Sequence, residues 1–261
     1  MNAASSYWLS DYGTGHAWLK WPVRALSFAI FFVGWELVGR SEQYFAIVPV
    51  SETFDALWTD RGEIWSAMLG TLRIAATGFV PAAVLGVLAG TLIGTSRIGR
   101  VALDPLVNVG VVAPMTMLVP VLGIYIGLGY RGKVTLVLLF SLFVIIINTA
   151  AGVAETPPAL RETAHSFGIR GVALYRKVIL PGALPYVLTG LRLGAGRAVQ
   201  GAIIADLLLE VSHIGLYLIR AGSTFDMPAL LAGTLFTVTV ASAVMLLARW
   251  AERRALRWLR P

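Results

Sequence analysis

Three stretches of this chain carry no charged residue: 105–128, 134–154 and 227–248. A helix needs about 20 mostly apolar residues to cross the hydrocarbon of a bilayer, and each stretch reaches that length. A fourth, 74–95, does so with Pro81 near its start. Residues 21–39 form a weaker fifth that carries Arg24 and Glu36, and 185–209 a sixth that contains Arg192, Arg197 and Asp206. The expected fold is all-α, a polytopic membrane protein of six transmembrane helices. Spans are placed near 21–39, 71–95, 105–128, 134–154, 185–209 and 227–248, with 1–261 as one membrane domain.

Composition agrees with that reading. The chain is 57% hydrophobic and 13% charged, where a soluble domain is about 25% charged. A soluble fold of this size has no way to solvate such a surface. The net charge of +7 sits at the ends of the apolar runs, where it reports topology rather than nucleic-acid binding. The absence of cysteine removes disulfides, thiolate metal sites and cysteine nucleophiles. His16, His165 and His213 are far apart and have no ligand spacing, so no metal site is expected. Lys20 and Arg24 precede the apolar run 25–38, but no small-residue cleavage site follows it. A retained first helix is expected there rather than a signal peptide.

Six spans put both termini on one side, and the excess of Lys and Arg marks the cytoplasmic side. With cytoplasmic termini, that side holds thirteen: Lys20, Arg24, Arg97, Arg100, Arg161, Arg170, Arg176, Lys177, Arg249, Arg253, Arg254, Arg257 and Arg260. The outer side holds six: Arg40, Arg61, Arg73, Arg131, Lys133 and Arg220. Arg131 and Lys133 fit awkwardly, because they fall in a short outer turn. Between the first two spans, 41–71 is mildly acidic, and Ser51 is placed to cap a short amphipathic helix.

The longest cytoplasmic connection, 155–184, carries the strongest signal. Pro157 and Pro158 suit a helix start, and 159–167 reads as a short helix with Leu160, Ala164 and Phe167 on one face. Gly168 sits where a helix C-terminal glycine belongs. A second short helix is expected over 172–180, ended by Pro181. By pattern alone this loop is either a helix lying on the headgroups or a docking element for a cytoplasmic partner.

The residues resemble the EAA loop of bacterial ABC importer permeases: Glu162-Thr163-Ala164, then Gly168, then Val178-Ile179-Leu180-Pro181, at the spacing of that pattern. Thr163 departs from it at the middle position. The runs Leu180 to Pro185 and Thr189-Gly190-Leu191-Arg192, with Leu103-Asp104-Pro105-Leu106 and the Pro114/Pro120 pair, are similar to the taurine, alkanesulfonate and nitrate subfamily. The resemblance covers nearly the whole chain. It implies that Arg161, Glu162, Thr163, Ala164, His165 and Gly168 form a coupling helix that enters a cleft on a separate ATP-binding subunit, with Pro181 fixing the exit toward the fifth span. It further implies a second copy of this chain, two ATP-binding subunits that carry the ATP and Mg, and an external solute-binding protein. The location implied is the bacterial inner membrane. The chain itself is then a non-catalytic subunit with no cofactor.

Charged groups inside spans usually face a cavity or a partner. Arg192 is placed to snorkel toward the cytoplasm. Arg197 and Gln200 lie one turn apart, and either present a cation and an amide to an anionic solute or pair with a carboxylate of another helix. Asp206 reads as a gate residue or a packing partner. Asn148 reads more readily as an interhelical hydrogen bond than as a ligand. Pro114, Met115, Thr116 and Met117, with Pro120, predict an irregular or kinked stretch. Such stretches are tolerated where they line a cavity. The candidate pathway is therefore Pro114, Met115, Thr116, Met117, Asn148, Arg197, Gln200 and Asp206. Its cargo, on the resemblance and Arg197, is a small organic or inorganic anion.

Residues Gly127 to Lys133 have the Gly-x4-Gly-Lys spacing of a phosphate loop, but Val134 follows and no strand–loop–helix context surrounds it. Nucleotide binding is not expected there. Two rivals to an importer subunit remain from sequence. A secondary transporter calls for inverted repeats and paired carboxylates, and a polytopic enzyme calls for a clustered His with Asp or Glu. The spans show neither clearly.

Overall fold

A computed structural model describes residues 20–41 and 47–257. His16 and Arg260, used above, lie outside the described residues. The elements are α1 (Lys20–Gly39), α2 (Val50–Thr59), α3 (Arg61–Thr95), α4 (Arg97–Val112), α5 (Val119–Tyr125), α6 (Tyr130–Ala154), α7 (Pro158–Ser166), α8 (Gly171–Leu174), α9 (Leu180–Leu208), α10 (His213–Ser223) and α11 (Met227–Ala255). No strand occurs among the described residues. Among the described residues, five helices are long and apolar enough to cross a membrane, and the bent pair of α4 with the 115–125 segment brings the number to six.

That pair corrects the third expected span. Residues 105–128 are not one membrane-length helix, because the axis turns by 97° between Val112 and Met115. Pro114 is the cause. A proline pushes the residue before it out of the helical region, and Ala113 is extended at ψ 127°. A single 3-10 turn, Met115–Leu118, then leads into α5.

The core is built on α3 and α6, which lie against each other along their length. On α3, small residues recur every fourth position: Gly78, Ala82, Gly86, Gly90 and Gly94, all buried. Residues four apart share one helix face, and small residues let two backbones approach closely where lipid offers no hydrophobic drive. A Cβ on Gly78 would lie 2.5 Å from Val137 Cγ1, and one on Gly90 would lie 2.6 Å from the Ile146 carbonyl oxygen. The second face of α6 receives α9, where Gly194 stands against Ile145 and Gly201 against Phe140.

Pro181 does not end a helix, as the sequence led us to expect. A π turn, Tyr175–Ile179, carries the chain from α8 straight into α9. The Leu180 amide donates to the Tyr175 carbonyl, five residues back. This wider turn shifts the hydrogen-bond register just before Pro181, whose nitrogen has no hydrogen to donate. Ser51 also differs from expectation. Pro49 is the residue before α2, and no side chain caps it. The Ser51 hydroxyl instead donates to Glu36 Oε1 at 2.9 Å, tying α2 to the end of α1.

Candidate functional site

Most candidate residues fall in two regions: the loop end, 155–181, and the groove between the bent 97–125 segment, α6 and α9.

At the loop end, α7 closes with a Schellman motif. Gly168 adopts φ +74°, the Ile169 amide donates to the Ala164 carbonyl at 2.9 Å, and the Gly168 amide to His165 at 2.9 Å. The left-handed φ is what requires a glycine there. Ala164 is 5% exposed and seats the helix on the bundle. Arg161 turns back rather than outward. Its Nη2 donates to the Val153 carbonyl in the last turn of α6, a favourable place for a cation because the helix dipole is negative there. Glu162 and Thr163 remain exposed, and the Thr163 hydroxyl is bonded to the Ala159 carbonyl at 2.8 Å. Phe167 is 79% exposed.

Leu160, Ala164 and Phe167, expected on one face, divide between two tasks. Ala164 packs inward, while Leu160 and Phe167 flank an apolar groove of about 420 Å³ whose other wall is Lys177, Val178 and Pro181. A second groove, with Arg161, His165 and Tyr175, lies on the far side of α7. The Tyr175 hydroxyl and Thr91 Oγ1 are 3.0 Å apart, which fastens the π turn to α3.

The kinked segment, α6 and α9 line a half-open cavity of about 260 Å³, in which Arg197 and Gln200 are exposed in the single chain. Pro114, Met115, Thr116, Arg197 and Gln200 line it, with Phe140, Phe143 and Ile204 forming apolar wall. Arg197 Nη1 donates to Gln200 Oε1 at 3.1 Å. Arg197 makes no ion pair with a carboxylate among the described residues, so the internal-pair reading fails within one copy.

Three candidates fall outside this cavity. Met117 is exposed on the other side of the 3-10 turn. Asn148 donates to the Val144 carbonyl of its own helix at 2.7 Å and packs on Gly190. Asp206 is buried at the opposite end of α9 from the loop, where it works as a packing partner.

Asp206 is the centre of a polar cluster that sequence reasoning missed. Lys133 Nζ lies 3.1 Å from its Oδ1, and both side chains are buried. Thr71 donates to Oδ2 at 2.6 Å, and Ser212 and His213 Nδ1 lie 3.1 Å from Oδ1. His213 itself has φ +48°. Lys133 is therefore not a charge of an outer turn. The phosphate-loop spacing dissolves as well, since Gly127 takes φ +101° to end α5 and Lys133 belongs to Asp206. Arg192 reaches an acid in the last turn of α11. Its Nε is 3.1 Å from Glu252 on α11, which also accepts from Thr189. A signal for these pairs was present: opposite charges in otherwise apolar segments seek each other.

Compared with known proteins, residues 82–257 match the family described as the binding-protein-dependent transport system inner membrane component. The chain is 31% identical over 215 residues to the putative aliphatic sulfonates transport permease protein SsuC of Escherichia coli, covering 81% of this chain and 82% of that one. It is 28% identical to the taurine transport system permease protein TauC of the same organism, over 75% and 71% of the two chains. It is 27% identical to the bicarbonate transport system permease protein CmpB of Synechococcus elongatus, over 76% and 71%. Among solved structures, inward facing conformations of the MetNI methionine ABC transporter share the fold at TM-score 0.61 and 17% identity, over 77% of this chain and 97% of that one. A crystal structure of an amino acid ABC transporter does so at TM-score 0.64 and 16% identity, over 77% and 98%.

Proposed function

We propose a working assembly from the premise that the chain belongs to the family of binding-protein-dependent transport system inner membrane components, and so is the membrane-embedded permease subunit of an ABC transporter. Two copies enclose one pathway. Two separate ATPase subunits, which carry the ATP and Mg, dock under the loop end, and a solute-binding protein delivers cargo to the opposite face. ATP hydrolysis belongs to those partners. Both termini and the loop end are cytoplasmic. The tally of Lys and Arg, thirteen against six, supports this orientation.

The observation that carries the coupling reading is the way α7 stands on the bundle. Arg161 holds it to α6 and Ala164 is buried beside the π turn, while Glu162 and Phe167 are exposed, Phe167 at the edge of an apolar groove. A short rigid helix fixed at its base transmits a displacement that a loose loop would absorb. ATP binding draws the ATPase pair together, moves both α7 helices and opens the pathway outward, and hydrolysis resets it. The cargo is a small anion. The names of the relatives, which specify aliphatic sulfonates, taurine and bicarbonate, support that class, and so does Arg197 in the cavity.

The test is ATP-dependent uptake by the reconstituted complex carrying Glu162→Lys or Gly168→Asp. Glu162→Lys reverses an outward charge, and Gly168→Asp puts a charged side chain at a position held in the left-handed region. Both variants should insert into the membrane and lose uptake. Uptake at the wild-type rate in both would overturn the coupling assignment.

A further inference from the structure

Resting on the importer reading, we infer that the cavity beside Arg197 is a selectivity site of the permease itself. It takes a small solute with one carboxylate or sulfonate head and a short apolar tail. The two arginines of α9 make the first argument. Arg192 has Glu252 as its counter-ion, whereas Arg197, exposed in the single chain, has among the described residues only the Gln200 amide oxygen. About 16 Å of helix separate Arg197 from the Leu208 end of α9 at 1.5 Å per residue, so its charge lies at membrane depth. A charge there is retained where it serves a pathway or meets a partner.

A second copy has little to offer as that partner. Across 97–125, 130–154 and 180–208, the elements around the cavity, the only acids are Asp104 and Asp206. Asp206 is occupied by Lys133. Asp104 precedes Gly110, the first cavity residue, by six positions on α4, about 9 Å of helix.

The lining describes the ligand. Gln200 engages one of the five donors of the guanidinium, leaving others to form a fork whose geometry matches a carboxylate or sulfonate. Thr116, on the 3-10 turn, adds a hydroxyl. Phe140, Phe143 and Ile204 supply a wall for a short alkyl tail. About 260 Å³ is below the usual range of sites for drug-sized ligands, which begins near 300 Å³.

The experiment measures binding of ethanesulfonate and its neutral isostere ethyl methyl sulfone to the permease–ATPase complex in nanodiscs, without binding protein, by saturation-transfer NMR. The wild type should bind ethanesulfonate saturably and prefer it by about tenfold or more. Arg197→Met should abolish the preference. Arg197→Lys, which keeps the charge but not the fork, should retain part of it. Gln200→Leu should weaken sulfonate binding several-fold, and it decides the question if Arg197→Met fails to assemble. Asp104→Asn should change nothing; if sulfonate binding rises in that variant, Arg197 is an internal pair. Absence of saturable sulfonate binding in the wild type, or an unchanged preference in Arg197→Met or Gln200→Leu, overturns the site. Wild-type ATP-dependent uptake is measured in parallel: its loss removes the importer reading, while intact uptake with an unchanged preference removes only this inference.

Discussion

Lys133 and Asp206 form an ion pair 3.1 Å long, with 1% and 0% of their side chains exposed. It joins the first turn of α6 to the last turns of α9, and Thr71 of α3 completes it. Breaking a buried pair by removing one partner leaves an uncompensated charge, which costs about 3–5 kcal/mol, whereas replacing both with apolar groups is often near neutral. Lys133→Met and Asp206→Leu should each lower the thermal midpoint of the detergent-solubilised protein sharply. The double variant should recover most of the loss. Additive losses in the double variant would show that the two residues act independently.

The α3 ladder gives a steric prediction. Gly90→Ala places a Cβ 2.6 Å from the Ile146 carbonyl oxygen, which is backbone and cannot step aside. Overpacking of this kind costs about 1–3 kcal/mol. Gly62→Ala, with open space around it on the same helix, should be neutral or slightly stabilising. Thermal melts of the two variants should separate by several degrees.

Much of this architecture was legible in the sequence, and the parts that were not have physical reasons. Span lengths follow from composition, and the Schellman glycine at 168 followed from a helix stop with no need of tertiary context. The break at Pro114 was visible as irregularity, but its 97° turn was not, because a proline fixes the local backbone and leaves the direction of the next helix to packing. Pro181 misled because a π turn can absorb a proline that would end a regular helix. Lys133 misled because its burial depends on Asp206, 73 positions away. The Arg197–Gln200 pair was legible, since residues three apart on a helix meet. The aromatic wall at Phe140 and Phe143 was not, because nothing in α6 alone says which of its faces meets the cavity.

The corner where α10 meets the start of α3 titrates. The Tyr217 hydroxyl donates to Asp60 at 2.7 Å, and burial first, then this hydrogen bond, raises its pKa above the ordinary value of 10.0. A raised value means that the folded state holds the proton longer than the unfolded state. The stabilisation is therefore complete below pH 10 and declines as pH rises above it toward the folded value. Thermal midpoints followed from pH 8 to pH 11 should fall at the top of that range. Tyr217→Phe should flatten the decline and cost about 1 kcal/mol at neutral pH through the lost hydrogen bond. A decline of the same size in Tyr217→Phe would assign it to another group.

Arg161 and Glu162 are adjacent in sequence and face opposite ways, so they should fail differently. Arg161 is bound to the Val153 carbonyl at the end of α6, and its truncation removes a charge-assisted bond worth about 1.5–3 kcal/mol in holding α7 to the bundle. Its guanidinium is turned toward α6, away from the exposed face that carries Glu162. Arg161→Ala should keep co-purification of the ATPase within about twofold of wild type, while ATP hydrolysis continues without proportionate uptake. Glu162→Lys acts on the outward face and should lower co-purification itself. Measuring ATPase retention beside the ratio of solute moved to ATP hydrolysed separates a loosened lever from a lost handle. Loss of ATPase retention in Arg161→Ala would move Arg161 from the base of the helix to its contact face.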